Sequence, residues 1–588
     1  METARGPAPS PQILIDSMMP VAVAQAAKRP RGAPGTISLD SLLASLSLRE
    51  KIGQLIMPWL AGAYAAVDAS PTDFVGATVP VESLGVGGVI VSVGSPLDVA
   101  AKLNQLQRRS KLPLLVTADL EGGGVTRLIG ATALPPTMAV GATGRELDAY
   151  QMGRVTALEA RAVGIHWSFS PVADVNNNPA NPIINTRSFG EDPKQVATLV
   201  AAYVRGAQEH GLFTTAKHFP GHGDTGIDSH IDVPVVSACW GRLDTLELTP
   251  FRAAITAGVT ATMTAHVAVP CVTGDSLPAT LEPAVMTGVL RDSLHFRGLV
   301  VTDALQMGAV VRLYGAGEAA VRSFLAGSDL LLMPQDVETA LGAMTEAVRS
   351  GRIPQDRVDQ SVRRLLALKI RAGLFAERTV PLDSVPARVG RKESQAIADD
   401  IAARALTLVL PGSIEQFRSQ RGRTTLITYA EETNLSIGGV LWQELATLGD
   451  TVSGFRLYPS SGVASYDSAR TAIGRNGRVV FAASVRPIAG RGNIALPDPL
   501  ADLIEATSRV KATVLASFGS PYLLNQLPGF AGAYLLAYAD VVPTERAVAR
   551  ALAGGSEIAG RVPITISPQH PRGFGIHLPA RPAGARYP

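Results

Sequence analysis

From about Ser38 the chain alternates two patterns. Short runs of apolar and β-branched residues are separated by longer stretches whose apolar positions recur every three or four residues. The first long stretch, "LDSLLASLSLREKIGQ", reads as a helix. Eight short runs read as strands: "GQLIMPWL" from Gly53, "GGVIVSV" from Gly87, "LPLLVTAD" ending at Asp119, "IHWSFSPV" from Ile165, "LFTTAKHF" from Leu212, "VTATMTAHV" from Val259, "GLVVTDAL" from Gly298 and "SDLLLMP" ending at Pro334. Helical segments such as "DVAAKLNQLQRRS" and "PKQVATLVAAYVRGAQEHG" lie between them, the latter stopped by Gly211. Near-continuous apolar strands joined by helices predict a parallel sheet covered on both faces. Eight such units predict a closed (β/α)8 TIM-type barrel. The last helix, "QDRVDQSVRRLLALKIRAGLF", puts Val358, Val362, Leu365, Leu366 and Ile370 on one face, expected to be buried.

After the turn-rich "ERTVPLDSVPARVGRKES" a second α/β pattern begins. Its strands are "ALTLVL", "TTLITYA", "RVVFAAS", "KATVLASFG" and "AYLLAYA", which predict an open doubly wound sheet. No GxGxxG follows the first of these, so no dinucleotide is expected, and "GRGNIALPDP" reads as a turn. The expected divisions are a leader or linker over 1–36, a barrel over 37–380, a linker over 381–394, a C-terminal domain over 395–578 and a tail over 579–588. A chain of 588 residues is too long for one core, which agrees with two large domains.

Composition changes this picture little. With 46% hydrophobic and 18% charged residues the chain is globular, and a formal charge of +3 without a Lys/Arg stripe argues against a nucleic-acid partner. No apolar run reaches the length of a membrane span. Cys239 and Cys271 have no zinc-type spacing and are expected to be reduced, partly buried thiols, with a disulfide between them as the alternative. "SMMPVAVAQAAK" ends in Ala24-Gln25-Ala26, a small-x-small pattern that favours export to the periplasm or medium over a cytoplasmic location, although Glu2 and Asp16 precede it. "KRPRGAPGT" reads as a solvated linker.

Candidate chemistry gathers at strand ends, where barrels carry function. Asp119, Asp174, Lys217 with His218, His266 and Asp303 each follow a different predicted strand. One such residue could be structural; one per strand around a rim suits a hydroxyl-rich ligand. "ADLEGGGVTR" adds a carboxylate pair, three glycines and Arg127, a loop able to approach a ligand closely. In "NTRSFGEDP", Arg187 is expected to clamp the ligand, while Glu191 and Asp192 read as an ordinary helix start. "KHFPGHGDTGIDSH" (Lys217–His230) holds three of the nine histidines. His218 and His222 are four apart, but Pro220 and Gly221 oppose the helix a zinc pair would need. No Gly-Lys-Ser/Thr follows to make a phosphate cradle. A long loop remains, in which Asp228 can orient the imidazole of His230 for proton transfer. His222 and Asp224 are expected to shape that loop.

These motifs, with "MTAHVAVP" and "GLVVTDALQM", resemble glycoside hydrolase family 3, in particular its β-N-acetylglucosaminidase branch, over residues 38–380. The second domain is similar to the family's αβα sandwich, a likeness resting on "GRVPITIS" and on order along the chain. The resemblance implies an exo-acting, retaining hydrolase of terminal β-linked N-acetylglucosamine, with peptidoglycan fragments or chitin oligomers as substrates. It implies Asp303 as nucleophile and His230, assisted by Asp228, as acid/base. Asp119, Arg127, Asp174, Arg187, Lys217 and His218 would bind the sugar, and Met263 and His266 would lie beside the nucleophile. It implies no metal and no cofactor. An imidazole acid/base leaves phosphorolysis as an alternative, and a β-glucosidase or an inactive sugar-binding protein are the others. Leu120 and Gly124 depart from the family pattern, where a polar and a larger residue are common.

Overall fold

A computed structural model describes residues 38–62, 80–490 and 494–581. The Ala24-Gln25-Ala26 pattern and the "KRPRGAPGT" linker lie outside the described residues. The chain is mixed α/β with parallel sheets. In the first part the strands are β1 (Ile56–Met57), β2 (Trp59–Leu60), β3 (Gly88–Val91), β4 (Leu115–Ala118), β5 (Trp167–Ser168), β6 (Thr215–Phe219), β7 (Ala261–Thr264), β8 (Leu299–Val301) and β9 (Leu331–Leu332). Pro58 separates β1 from β2. Parallel pairing runs β2-β3-β4-β5 and β6-β7-β8, and β9 pairs with β1. Parallel bridges Trp167–Phe213 and Val301–Leu330 join these groups, so the pairings return to their start.

Met57, Ile90, Leu115, Trp167, Phe169, Met263 and Val301, from the strands or the residues just beyond them, form one buried cluster with Leu365 of helix Gln355–Arg371. Outside this cluster, Val99, Leu103, Val200, Tyr203, Phe251, Phe324 and Leu341 pack helices onto the strands. Local signals set the helix ends. Ser47 and Glu50 make a capping box for Leu48–Gln54. Asp192 accepts from the Lys194 and Gln195 amides and, with Pro193, starts Pro193–Gln208. Glu191 does not serve that helix start: its carboxylate accepts from the Thr565 amide and hydroxyl, both at 2.7 Å, in the second part of the chain.

Helix Gln355–Arg371 buries Val358, Val362, Leu365 and Leu366 as expected, but Ile370 is exposed. The 3.6-residue period continues to 369 rather than 370. Lys369 fills that buried position, and its ammonium reaches Gln54 Oε1.

The second sheet has the order β10 (Thr407–Leu410), β15 (Ala533–Leu536), β14 (Ala512–Ser517), β13 (Arg478–Ala483), β11 (Arg423–Tyr429) and β12 (Thr451–Leu457). All pairs are parallel except β10 with β15. Neighbouring residues such as Leu426 and Ile427, Val480 and Phe481, and Val514 and Leu515 alternate between two buried clusters, so both faces are covered. Strand β12 was not expected. Its "TVSGFRL" is largely exposed at the sheet edge and carries no apolar run to signal it.

Cys239 and Cys271 are neither reduced nor buried. They form a disulfide with a Cα separation of 4.9 Å, and both residues are exposed. Thirty-two positions separate them, and the fold of β6, β7 and their loops brings them together. Met138, Ala139 and Ala142 of the first part join a core of the second, and Arg404 pairs with Asp148 at 2.8 Å. Among the described residues no helix is long and apolar enough to cross a membrane.

Candidate functional site

The strand ends converge on a cavity of about 300 Å³, at the lower limit for small-molecule sites. Asp119, Glu121, Arg127, Arg187, Lys217, His218, His222, His230 and Asp303 line it, with Pro487 and Ala489 from the second part of the chain. Asp119 directly follows β4, and the chain there keeps a strand-like alternation. Asp119 and Glu121 reach the cavity while Leu120 between them is fully buried. Lys217, almost fully buried, donates to Asp119 Oδ1 at 2.8 Å and Glu121 Oε1 at 2.7 Å. Arg187 grips Glu121 with two bonds, Nε to Oε2 at 2.7 Å and Nη2 to Oε1 at 2.8 Å. Arg127 reaches Asp119 Oδ2 at 3.4 Å. Burial raises the Glu121 carboxyl, but the Arg187 and Lys217 charges overcome it and hold Glu121 well below the usual carboxylate range. Glu121 is thus the hub of the charged wall, a part the sequence reading did not give it; its spacing of two from Asp119 was the available signal.

Asp174 is not on the cavity wall. It is fully buried, accepts from the His222 amide at 2.7 Å and pairs with His218 Nδ1 at 2.7 Å. It therefore aims His218 instead of meeting sugar hydroxyls. Met263 also stays off the wall: a β-strand side chain facing the ring interior, it packs with Trp167, Phe169 and Val301. His266 is buried beside the candidate nucleophile, its Nε2 donating to the Ala304 carbonyl at 3.1 Å and its Nδ1 at 2.7 Å from Thr280 Oγ1. Burial lowers its pKa.

Asp303 lies two residues beyond β8. The Ala304 amide donates to its Oδ1 at 2.8 Å, and its own amide donates to Thr264 Oγ1 at 3.3 Å. Burial pushes its carboxyl up. The charges of His218 and His266, then the Ala304 amide and Lys217, outweigh this and hold it at about 2. The histidines come before Lys217 in this balance, and the arginines expected to help are not among its main causes. Asp303 is an ionised carboxylate near neutral pH.

The loop from Lys217 to His230 is pinned from inside. His222 bonds Thr225 Oγ1 at 2.7 Å and Ser229 Oγ at 3.0 Å, which occupies both ring nitrogens. Burial, then repulsion by His218, lower it to about 4. Asp224 pairs with Arg242 at 2.8 Å. Asn181 Nδ2 donates to the carbonyls of His222 and Gly223 at 2.8 and 3.1 Å. At the loop's end the buried Asp228 Oδ1 receives both the His230 amide at 2.9 Å and His230 Nδ1 at 2.8 Å. With Nδ1 so engaged, Nε2 is the nitrogen left for proton exchange in the cavity. Asp228 Oδ2 accepts from the Gly490 amide at 2.7 Å. Burial raises the Asp228 carboxyl, and these hydrogen bonds, led by His230, bring it below its ordinary value. Nothing in the sequence announced that residues 487–490 reach this site.

Both departures from the family pattern have a steric basis. Leu120 points into the core, and a Cβ at Gly124 would lie 2.9 Å from Glu159 Oε2 and 3.0 Å from Ala131 Cβ. Among the described residues no group of three or more His, Cys, Asp or Glu is placed to hold a metal ion.

Residues 47–368 match the family described as "Glycosyl hydrolase family 3 N terminal domain". The chain is 31% identical over 516 residues to a "Beta-N-acetylglucosaminidase/beta-glucosidase" of Cellulomonas fimi, covering 84% of this chain and 89% of that one. It is 33% identical over 341 residues to "Beta-hexosaminidase LpqI" of Mycobacterium tuberculosis, covering 55% and 84%. Among solved structures it is similar to a glycoside hydrolase family 3 beta-N-acetylglucosaminidase from Paenibacillus sp. str. FPU-7, with a TM-score of 0.80, 35% identity and coverage of 89% and 99%. "Beta-glucoside phosphorylase BglX" bound to 2FGlc matches with a TM-score of 0.80 and 27% identity, covering 90% and 96%.

Proposed function

The chain belongs to glycoside hydrolase family 3, and from that premise we propose that it removes terminal β-linked N-acetylglucosamine with retention of configuration. One observation carries the mechanism: Asp303 and His230 line the same small cavity, the first an ionised carboxylate, the second an imidazole fixed through Nδ1. Asp303 attacks the anomeric carbon while His230 Nε2 gives its proton to the leaving oxygen. A glycosyl-aspartate results, and the free alcohol departs. His230 then takes a proton from water, whose oxygen displaces Asp303. The buried carboxylate of Asp228 stabilises the imidazolium and holds the ring's tautomer. The Asp119, Glu121, Lys217, Arg187 and Arg127 array supplies both acceptors and donors for the sugar hydroxyls.

The closed circuit of strand pairings supports reading 37–380 as a (β/α)8 barrel. The doubly covered sheet supports an αβα sandwich over 395–578, with 381–394 between them. Peptidoglycan fragments and chitin oligomers are the substrates proposed. The exposed disulfide agrees with an oxidising compartment, and so with export.

The test is release of chromophore from an aryl β-N-acetylglucosaminide by the full chain, with Asp303→Ala as control, followed by labelling with a mechanism-based fluoro sugar and mapping of the peptide. Label on any residue but Asp303 overturns the mechanism. Silence on that substrate with turnover of an aryl β-glucoside overturns the sugar. Phosphorolysis is a second reading, favoured by an imidazole where a carboxylate would repel phosphate and by the likeness to a structure titled a phosphorylase. A sugar 1-phosphate formed only with added phosphate would establish it over hydrolysis.

A further inference from the structure

The acid/base side of the cavity is built from two separate parts of the chain. His230 and Asp228 come from the loop after β6, but among the described residues one of the three hydrogen bonds on the Asp228 carboxylate comes from Gly490, after β13, 262 positions away. That contact is direct, 2.7 Å from the amide nitrogen to Oδ2, and Asp228 is 1% exposed. Pro487 and Ala489, just before it, form part of the cavity wall. Gly490 has φ +81, a left-handed conformation that glycine adopts freely, and it turns the amide toward Asp228. Among the described residues a Cβ there would meet nothing within 4 Å, so the backbone conformation and not side-chain space favours the glycine.

We propose that Gly490 is a positioning residue of the catalytic apparatus, its backbone N–H holding Asp228 so that His230 faces the leaving group. The chemistry follows from the geometry. A carboxylate with one oxygen anchored cannot turn about its Cβ–Cγ bond, so Oδ1 stays in line with His230 Nδ1. The anchor also compensates buried negative charge that would otherwise be satisfied by a shift of the loop. This inference rests on the reading of His230 as the acid/base.

The experiment compares two aryl β-N-acetylglucosaminides on the full chain: one with unsubstituted phenol, a leaving group of high pKa that needs a proton, and one with dinitrophenol, which departs without it. Gly490→Pro removes the N–H and also forbids φ +81, so the difference between the two substrates, not the total loss, is the readout. It is expected to lower kcat/KM on the proton-requiring substrate by roughly tenfold or more, while the dinitrophenyl substrate changes less than about threefold. Gly490→Ala keeps the N–H and is expected to restore most of the difference. Equal losses on both substrates, or no loss, overturn the proposal. His230→Ala is the control for the underlying reading: if it lacks the leaving-group signature, the acid/base assignment fails. If it shows the signature and Gly490→Pro does not, only the positioning role fails. Hydrogen exchange needs no change at Gly490. In Asp228→Ala the Gly490 amide is expected to exchange at least tenfold faster than in the wild type, and unchanged protection overturns the contact.

Discussion

Replacing Glu121 with Gln tests the charged wall of the cavity. The carboxylate takes three charge-assisted hydrogen bonds at 2.7–2.8 Å, two from Arg187 and one from Lys217. The amide keeps the shape but removes the charge, leaving Lys217 to an Asp119 that it shares with Arg127 and taking from Arg187 the carboxylate it pairs with. Breaking a buried ion pair from one side costs about 3–5 kcal/mol. The Glu121 side chain is 18% exposed, which places the cost at the lower end, about 3 kcal/mol. At ~2 °C per kcal/mol for a large domain, the melting temperature falls by roughly 6 °C. The pH dependence is the sharper part. The folded-state pKa of Glu121 lies well below its unfolded value, so its contribution is fully present above the unfolded pKa and fades as pH falls below it. The gap between wild type and Glu121→Gln, followed by calorimetry, is therefore expected to be constant from pH 6 to 8 and to begin narrowing near about pH 4, continuing to narrow as the pH falls further. A gap under about 1 kcal/mol at pH 7, or one that persists unchanged into acid, refutes the account of Glu121 as a partly buried, doubly paired hub.

Three further outcomes are expected. The Cys239→Ser/Cys271→Ser double variant loses about 3–4 kcal/mol by the loop-entropy relation for a crosslink across this separation, read as a fall in denaturant midpoint that reductant reproduces in the wild type. Lys369 has a pKa lowered from 10.5 to about 7 by burial and then by the Arg378 charge, so between those values the unfolded chain binds the extra proton and wild-type stability rises with pH. Lys369→Met removes that rise, so the stability difference between variant and wild type shifts in the wild type's favour by at most about 1.4 kcal/mol per pH unit in titrated denaturation curves. His218→Gln removes the largest favourable influence on Asp303 and is expected to move the acid limb of the kcat/KM profile to higher pH; an acid limb that stays in place contradicts the charge balance at the nucleophile.

Strands whose residues are buried on both faces were readable because such positions favour apolar runs, with polar residues such as Lys217 and His218 entering only near the strand end where they find partners. All eight runs of the first part correspond to strands, whereas edge strand β12, wetted along most of its length, left no such mark. The same logic explains Ile370. Helical period marks a buried face only approximately, and a lysine took the inward position because Gln54 was there to receive it. Asp303, Lys217, His218, His230 and Arg187 were legible because each is a costly polar residue at a strand end or in a loop of unusual density. Asp174 was legible as important but not as to task, since a carboxylate aimed at a ligand and one aimed at a histidine have the same spelling.

Local patterning alone determined the α/β alternation, the run of strand ends that bear polar groups, and the catalytic types available to them. Only the assembled molecule decided which of those groups share a wall, which thiols meet across 32 positions, and which distant amide closes on Asp228. The reason is physical. Periodicity and strand-end chemistry are written within a few residues by the cost of burying polar atoms. A hydrogen bond or disulfide between remote segments depends on where two separate backbones arrive, and a backbone N–H is the same whatever side chain precedes it.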